Sequence, residues 1–229
     1  MKSTIRAASV AAFLITLAFL IHNFNALYYE PTFLGFKDPK IDYADMAKIA
    51  NANWSFAFTS SGISHIVTGF AMIFLGLGLM AVFRNFSVAA SRLIVVSAFI
   101  SGLGFLLTGI SDIPGTYYGD ILSQQNPDYS VNILLMKSMF RGSINTMAIV
   151  GLSWFAGQVA WCSWKSGIFN KWFAAFGYLN VLPGLAALVN PVLGFFYLQF
   201  APPWMLWLGI LLWKQSTADK SAAAGSMAG

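Results

Sequence analysis

Charge is scarce in this chain. Its 229 residues carry 13 Lys and Arg and 8 Asp and Glu, 9% in all. A water-soluble domain carries about 25%, so there is too little charge here to coat a globule in water. Cysteine is nearly absent as well: the lone Cys162 excludes an internal disulfide framework and any multi-cysteine metal site. Histidine occurs only at His22 and His65, with no H-E-x-x-H or H-x-x-E-H stretch around either. Glycines are present, but "GISDIPG" and "GLGFLLTG" follow no strand and form no phosphate loop. No nucleophile elbow is found. The net charge of +5 does not imply a nucleic-acid partner, because the positive residues lie between apolar segments and form no patch.

What the chain does have is apolar surface, 58% hydrophobic residues with 21 Phe and 8 Trp. Repeated apolar runs near or above about 18 residues mark membrane-crossing helices. Six spans are predicted, at about 7–28, 54–83, 88–111, 131–163, 169–189 and 192–213. The expected fold is an all-α polytopic membrane helical bundle with about six transmembrane helices, one transmembrane domain over residues 1–214. The small, polar tail 215–229 is expected to be disordered. The opening "MKSTIRAASVAAFLITLAFLI" has the basic start and apolar core of a secretory signal. Its apolar run continues to about Tyr28 without a small-x-small site at its end, which predicts a retained first helix.

Orientation follows from the positive-inside rule. One set of ends and loops holds Lys2, Arg6, Arg84, Arg92, Lys165, Lys171, Lys214 and Lys220. The opposite loops offset Lys37, Lys40 and Lys48 with Glu30, Asp38, Asp42, Asp45, Asp120 and Asp128. Both termini are therefore expected to be cytoplasmic. Tyr28, Tyr29, Trp54, Tyr117 and Tyr118 then mark the outer interface, and Trp161, Trp164, Trp172 and Trp213 the inner one. In the first outer loop, "IDYADMAKIA" is expected to form a short surface helix. In the second, residues 112–130, "DIPGTYYGDILSQQNPDYS" reads as a turn-rich cover over the outer mouth. In the last span, Pro202 and Pro203 predict a kink or a break.

Polar residues interrupt these spans in a pattern. Ser61, Ser64, His65 and Thr68 share one helical face by their i, i+3, i+4, i+7 spacing. Ser97, Ser101, Thr108 and Asp112 form a second stripe, and Lys137, Arg141 and Asn145 a third. His22 near the outer end of the first span falls at a similar depth, and Asn180 lies near the middle of the fifth. Lipid cannot solvate such stripes, and a charge at mid-membrane costs about 2.5–3.5 kcal/mol on insertion scales. The stripes are therefore expected to turn inward, with Asp112 as the partner of Arg141.

Three readings of this cluster stand open. In the first, His22, His65, Ser61, Ser64, Thr68, Asp112, Lys137, Arg141 and Asn145 line an outward-facing polar pocket. That pocket binds or transports a small anionic or amphiphilic ligand. In the second, the stripes lock helices together by hydrogen bonds, and the chain is a structural or accessory subunit of a membrane complex. In the third, His22 and His65 hold a metal or a haem in a membrane redox enzyme or haem carrier. The expected partners are the lipid bilayer, a small-molecule ligand and a membrane protein, with no nucleic acid.

The C-terminal stretches "KSGIFNKWFAAFGYLNVLPGLAALVNP" and "PPWMLWLGILLWK" resemble the ending of uncharacterised bacterial integral membrane proteins with about six helices. Those share a short basic turn before an aromatic-glycine helix and a Trp-rich closing helix. The resemblance implies a multi-pass protein of the bacterial inner membrane and carries no activity.

Overall fold

The structure is a computed structural model that describes residues 2–33, 45, 62–126 and 129–226. It is helical: α1 (Lys2–Phe24), α2 (Gly62–Phe83), α3 (Val88–Gln125), α4 (Tyr129–Ser166), α5 (Lys171–Leu179), α6 (Leu182–Val189) and α7 (Tyr197–Ser226). Among the described residues, five segments are long and apolar enough to cross a membrane: Lys2–Phe33, Gly62–Phe83, Val88–Leu122, Lys171–Val189 and Val192–Thr217. The fourth span of the sequence reading, α4, is 38 residues long, and its Lys137, Arg141 and Asn145 dilute its apolar character. It packs along α3 in antiparallel register: Arg141 meets Asp112, Ser101 Oγ donates to the Ala148 carbonyl at 3.0 Å, and Trp161 meets Phe86. The chain is therefore a helical bundle of membrane-spanning character.

Neighbouring helices close a ring. His22 of α1 packs on His65 of α2, and Gly69 of α2 backs onto α3. There a Cβ would lie 2.6 Å from the Gly102 carbonyl oxygen, so only a residue without a side chain permits the approach. Beyond α4, Ser153 Oγ accepts from the Gly184 amide of α6 at 2.9 Å. The Phe173 and Trp204 rings stack at 5.3 Å and join α5 to α7. Ser9 Oγ then donates to the Gly209 carbonyl at 2.7 Å, returning the ring to α1. The interior is filled by Phe19, Phe105, Phe155, Phe173, Tyr197 and Trp204.

One end of the ring carries tryptophan and cations. Arg6 sits 4.9 Å over the Trp213 ring, and Lys171 lies 5.6 Å over Trp164. The other end carries exposed Tyr28, Tyr117 and Tyr118. This is the segregation an interfacial aromatic belt requires.

The structure corrects several boundaries. The stretch 112–125 is helix, not a turn-rich loop, and Asp112 lies within α3 instead of closing it. Pro114 is accommodated, and the segment is tied to α4 through Lys137, whose amine reaches Thr116 and the Asp112 carbonyl. The fifth span is two helices, parted at Asn180–Val181, where Pro183 starts the second. The last span opens with a 3-10 turn, Pro191–Phe196, and α7 then runs unbroken through Pro202 and Pro203 to Ser226. It thus continues through the first twelve residues read as a disordered tail, where "SAAAGS" is rich in the best helix former, alanine. The first helix begins at Lys2 and continues past Phe24 as a π-helical turn, Asn25–Tyr29, and a helical turn, Glu30–Phe33. Residues 54–61 of the second span, with Ser61 and Trp54, lie outside the described residues, as does the "IDYADMAKIA" helix apart from Asp45.

Candidate functional site

The ionisable residues of five helical segments come together toward the tyrosine-bearing end of the ring. His22 is sixteen residues along α1 from Arg6, about 24 Å at 1.5 Å per residue. The cluster therefore lies toward the tyrosine-bearing edge of a hydrocarbon layer about 30 Å thick. His65 of α2 packs against His22 and shares this level.

At the base of the cluster the two imidazoles face each other. The His22 and His65 ring centroids are 5.0 Å apart and tilted by 35°, and Phe105 packs on the other side of His65 at 5.5 Å. Phe19 and Tyr197 complete an aromatic wall, 5.4 Å apart. Both histidines are buried, as are Ser64, Thr68 and Tyr197. Among the described residues, neither nitrogen of His65, nor Thr68 Oγ1, nor the Tyr197 hydroxyl has a hydrogen-bond partner. Buried polar atoms nearly always find partners, and each left unmet costs about 1–3 kcal/mol. These atoms leave hydrogen-bonding capacity unused among the described residues.

One turn further out lies the ion pair expected from the sequence. Arg141 Nε is 3.2 Å from Asp112 Oδ1, with the carboxylate side chain 2% exposed and the guanidinium side chain 34% exposed. Beside it, Lys137 Nζ donates to Thr116 Oγ1 at 2.7 Å and to the Asp112 carbonyl at 3.3 Å. Thr116 Oγ1 in turn donates to that carbonyl at 2.8 Å. Asn145, one turn deeper on α4, is half-buried, and its Oδ1 has no partner among the described residues. The result is a polar column, with cations at its accessible end and imidazoles at its closed end.

A cavity of about 300 Å³ opens next to the column between α1 and the last helical segment, lined by Asn23, Leu27, Phe195, Phe196 and Gln199, among others. Asn23 and Gln199 flank His22 and Leu198 in sequence. Asn23 Nδ2 donates to the Leu198 carbonyl at 2.9 Å. In a regular helix that carbonyl would accept from residue 202, which is proline and has no N–H.

No family model, characterised protein or solved structure matches the chain. The site is therefore read from its own geometry.

Of the nine residues nominated for ligand binding, His22, Ser64, His65, Thr68 and Asp112 are buried, Lys137, Arg141 and Asn145 are partly so, and Ser61 is outside the described residues. Lower on the α3 stripe, Ser97 bonds the Ile94 carbonyl and Ser101 the Ala148 carbonyl, so both serve helix structure. Asn180 likewise caps α5, donating to the Phe176 carbonyl at 3.0 Å. Sequence reasoning missed Phe19, Phe105, Thr116 and Tyr197. The tyrosine sits in the apolar run "GFFYLQF", where only matching its depth to His22 across antiparallel helices finds it.

Haem does not fit between the two histidines. Imidazoles on opposite sides of one iron, each about 2 Å from it, have centroids more than about 6 Å apart with the macrocycle between them. Rings with centroids 5.0 Å apart touch each other directly. Among the described residues no group of three or more His, Cys, Asp or Glu is placed to hold a metal ion, so His22 and His65 gain no third ligand of those types.

Proposed function

We propose that this multi-pass membrane protein binds or transports a small anionic or amphiphilic ligand. The ligand enters at Arg141 and Lys137 and is oriented by the buried polar groups beneath them. The charge bias of the loops puts that entrance on the extracytoplasmic side, and the C-terminal resemblance points to a bacterial inner membrane. One observation carries the reading: the unmet hydrogen-bonding atoms of His65, Thr68 and Tyr197 lie on one level below a partly exposed guanidinium. Arg141 is within electrostatic range of both His65 and Tyr197. An anion held at the arginine would lie in the same electrostatic neighbourhood as these buried groups. The test is thermal stabilisation of the purified protein by small organic anions and acidic amphiphiles, compared with Arg141→Ala and Lys137→Gln.

A second reading, an accessory subunit of a membrane complex, is favoured by a different observation. The outer half of α4 is exposed at Met136, Met139 and Phe140. A surface groove beside it is lined by Ser138, Gly142, Ser143 and Thr146 together with Ala187 and Leu188. Small polar residues on a lipid-facing helix suit close packing against another helix. A companion chain in constant ratio after mild-detergent purification supports this reading over the first.

A further inference from the structure

At the opposite end of the molecule, the turn between α2 and α3 carries two arginines that the polar column does not use. Arg84 follows the last residue of α2, and Arg92 lies in the second turn of α3. With Met80, Val88 and Ser91 they line a cavity of about 160 Å³. Both arginines are exposed, and among the described residues neither has an ion-pair partner. The start of α3 is already closed by its own cap, Ser87 Oγ accepting from the Ala90 amide at 3.3 Å, so the backbone donors are not what the cavity offers. Its lining offers two exposed guanidiniums, the side chains of Met80 and Val88, and the buried Ser91.

The level of this turn is fixed by its neighbours. Phe86, within the turn, packs on Trp161 at 5.8 Å. Trp161 belongs to the tryptophan-bearing end of the ring, with Arg6 on Trp213 and Lys171 on Trp164. That belt sits where acyl chains give way to head groups. A cavity there lined by two exposed arginines, with Met80 and Val88 beside them, matches one kind of molecule in charge and in polarity: a phosphate diester with a hydrocarbon tail. Guanidinium groups bind phosphate oxygens through paired hydrogen bonds, and basic pockets between helices at this level hold anionic lipid head groups.

We infer that Arg84 and Arg92 form a binding site for the head group of an anionic phospholipid. The site is independent of the ligand column, which lies at the other end of the bundle.

The test uses the full chain, purified and delipidated in a neutral detergent. Association of phosphatidylglycerol, phosphatidylcholine and inorganic phosphate is followed by native mass spectrometry and thermal unfolding. The expected result is retention of phosphatidylglycerol well above phosphatidylcholine, with no stabilisation by phosphate alone. Arg84→Gln/Arg92→Gln is expected to weaken phosphatidylglycerol binding about thirtyfold, the product of two basic side chains near a membrane surface. Arg84→Lys/Arg92→Lys keeps the charge and is expected to retain part of the binding, which separates lost recognition from lost folding. Equal retention of the two lipids overturns the inference, as does unchanged binding by the glutamine variant. Equal stabilisation by free phosphate overturns the assignment to a lipid.

Discussion

Arg141 Nε lies 3.2 Å from Asp112 Oδ1, yet the two side chains sit in different surroundings, the carboxylate 2% exposed and the guanidinium 34%. The carboxylate is shielded from the outside, while the arginine retains access to it. An anion arriving at Arg141 meets a guanidinium already oriented by its partner.

That asymmetry gives the first prediction. Removing one partner of a fully buried pair costs about 3–5 kcal/mol, and breaking an exposed pair about 0–1 kcal/mol. Arg141→Ala takes the guanidinium away from the buried Asp112 carboxylate and should fall between these limits. Asp112→Asn should cost less, because Arg141 can turn toward the head-group region. The double variant Asp112→Asn/Arg141→Ala should be more stable than the sum of the single losses implies. Thermal unfolding in one detergent, read as a double-mutant cycle, checks this; strict additivity would show that the pair is not coupled.

His65 offers a way to separate packing from binding. Its ring lies between His22 at 5.0 Å and Phe105 at 5.5 Å, and its nitrogens have no hydrogen-bond partner among the described residues. Replacing an unsatisfied buried polar group by an apolar one of similar shape is neutral or stabilising. His65→Phe should therefore keep or raise the unfolding temperature while losing the response to ligand. A variant that unfolds more readily would point to histidine hydrogen bonds that hold the bundle together.

The prolines of the last helix give a third prediction. Asn23 donates to the Leu198 carbonyl at 2.9 Å, the acceptor that Pro202 leaves without a helical donor. Asn23→Ala should cost about 0.5–1.5 kcal/mol, the net value of a typical intramolecular hydrogen bond. In a Pro202→Ala background, residue 202 supplies its own N–H and most of that cost should vanish. Equal cost in both backgrounds would mean that Asn23 and the proline are unrelated.

These examples mark how far the sequence reaches. Periodicity and hydropathy were enough for an all-α bundle, because segments such as Gly62–Phe83 are apolar almost throughout. Four-residue spacing was enough to align Lys137, Arg141 and Asn145 and to nominate Asp112 as a partner. Boundaries were less legible, since they are set by tertiary contacts. The "DIPGTYYGD" stretch carries turn residues, yet Lys137 reaches across to hold it as helix. The prolines at 202 and 203 sit within an intact helix because an asparagine from α1 meets the freed carbonyl, while the actual interruption falls earlier, at Asn180–Val181 and over Pro191–Phe196. Tyr197 was hidden for a related reason: an aromatic residue in an apolar run shows its hydroxyl as exceptional only when its neighbours are known.

The column below Arg141 is proposed to be a ligand site. The most direct measurement is the unfolding temperature of the purified protein titrated with small organic anions and acidic amphiphiles, in parallel with Arg141→Ala and Lys137→Gln, each against its own ligand-free baseline. Ligand at a hundredfold excess over its dissociation constant stabilises a one-site protein by about 2.7 kcal/mol. If the column is a ligand site, at least one compound raises the unfolding temperature of the parent protein, Arg141→Ala abolishes the shift and Lys137→Gln reduces it. A parent protein that responds to none of them, or an Arg141→Ala variant that responds as strongly as the parent, contradicts that proposal.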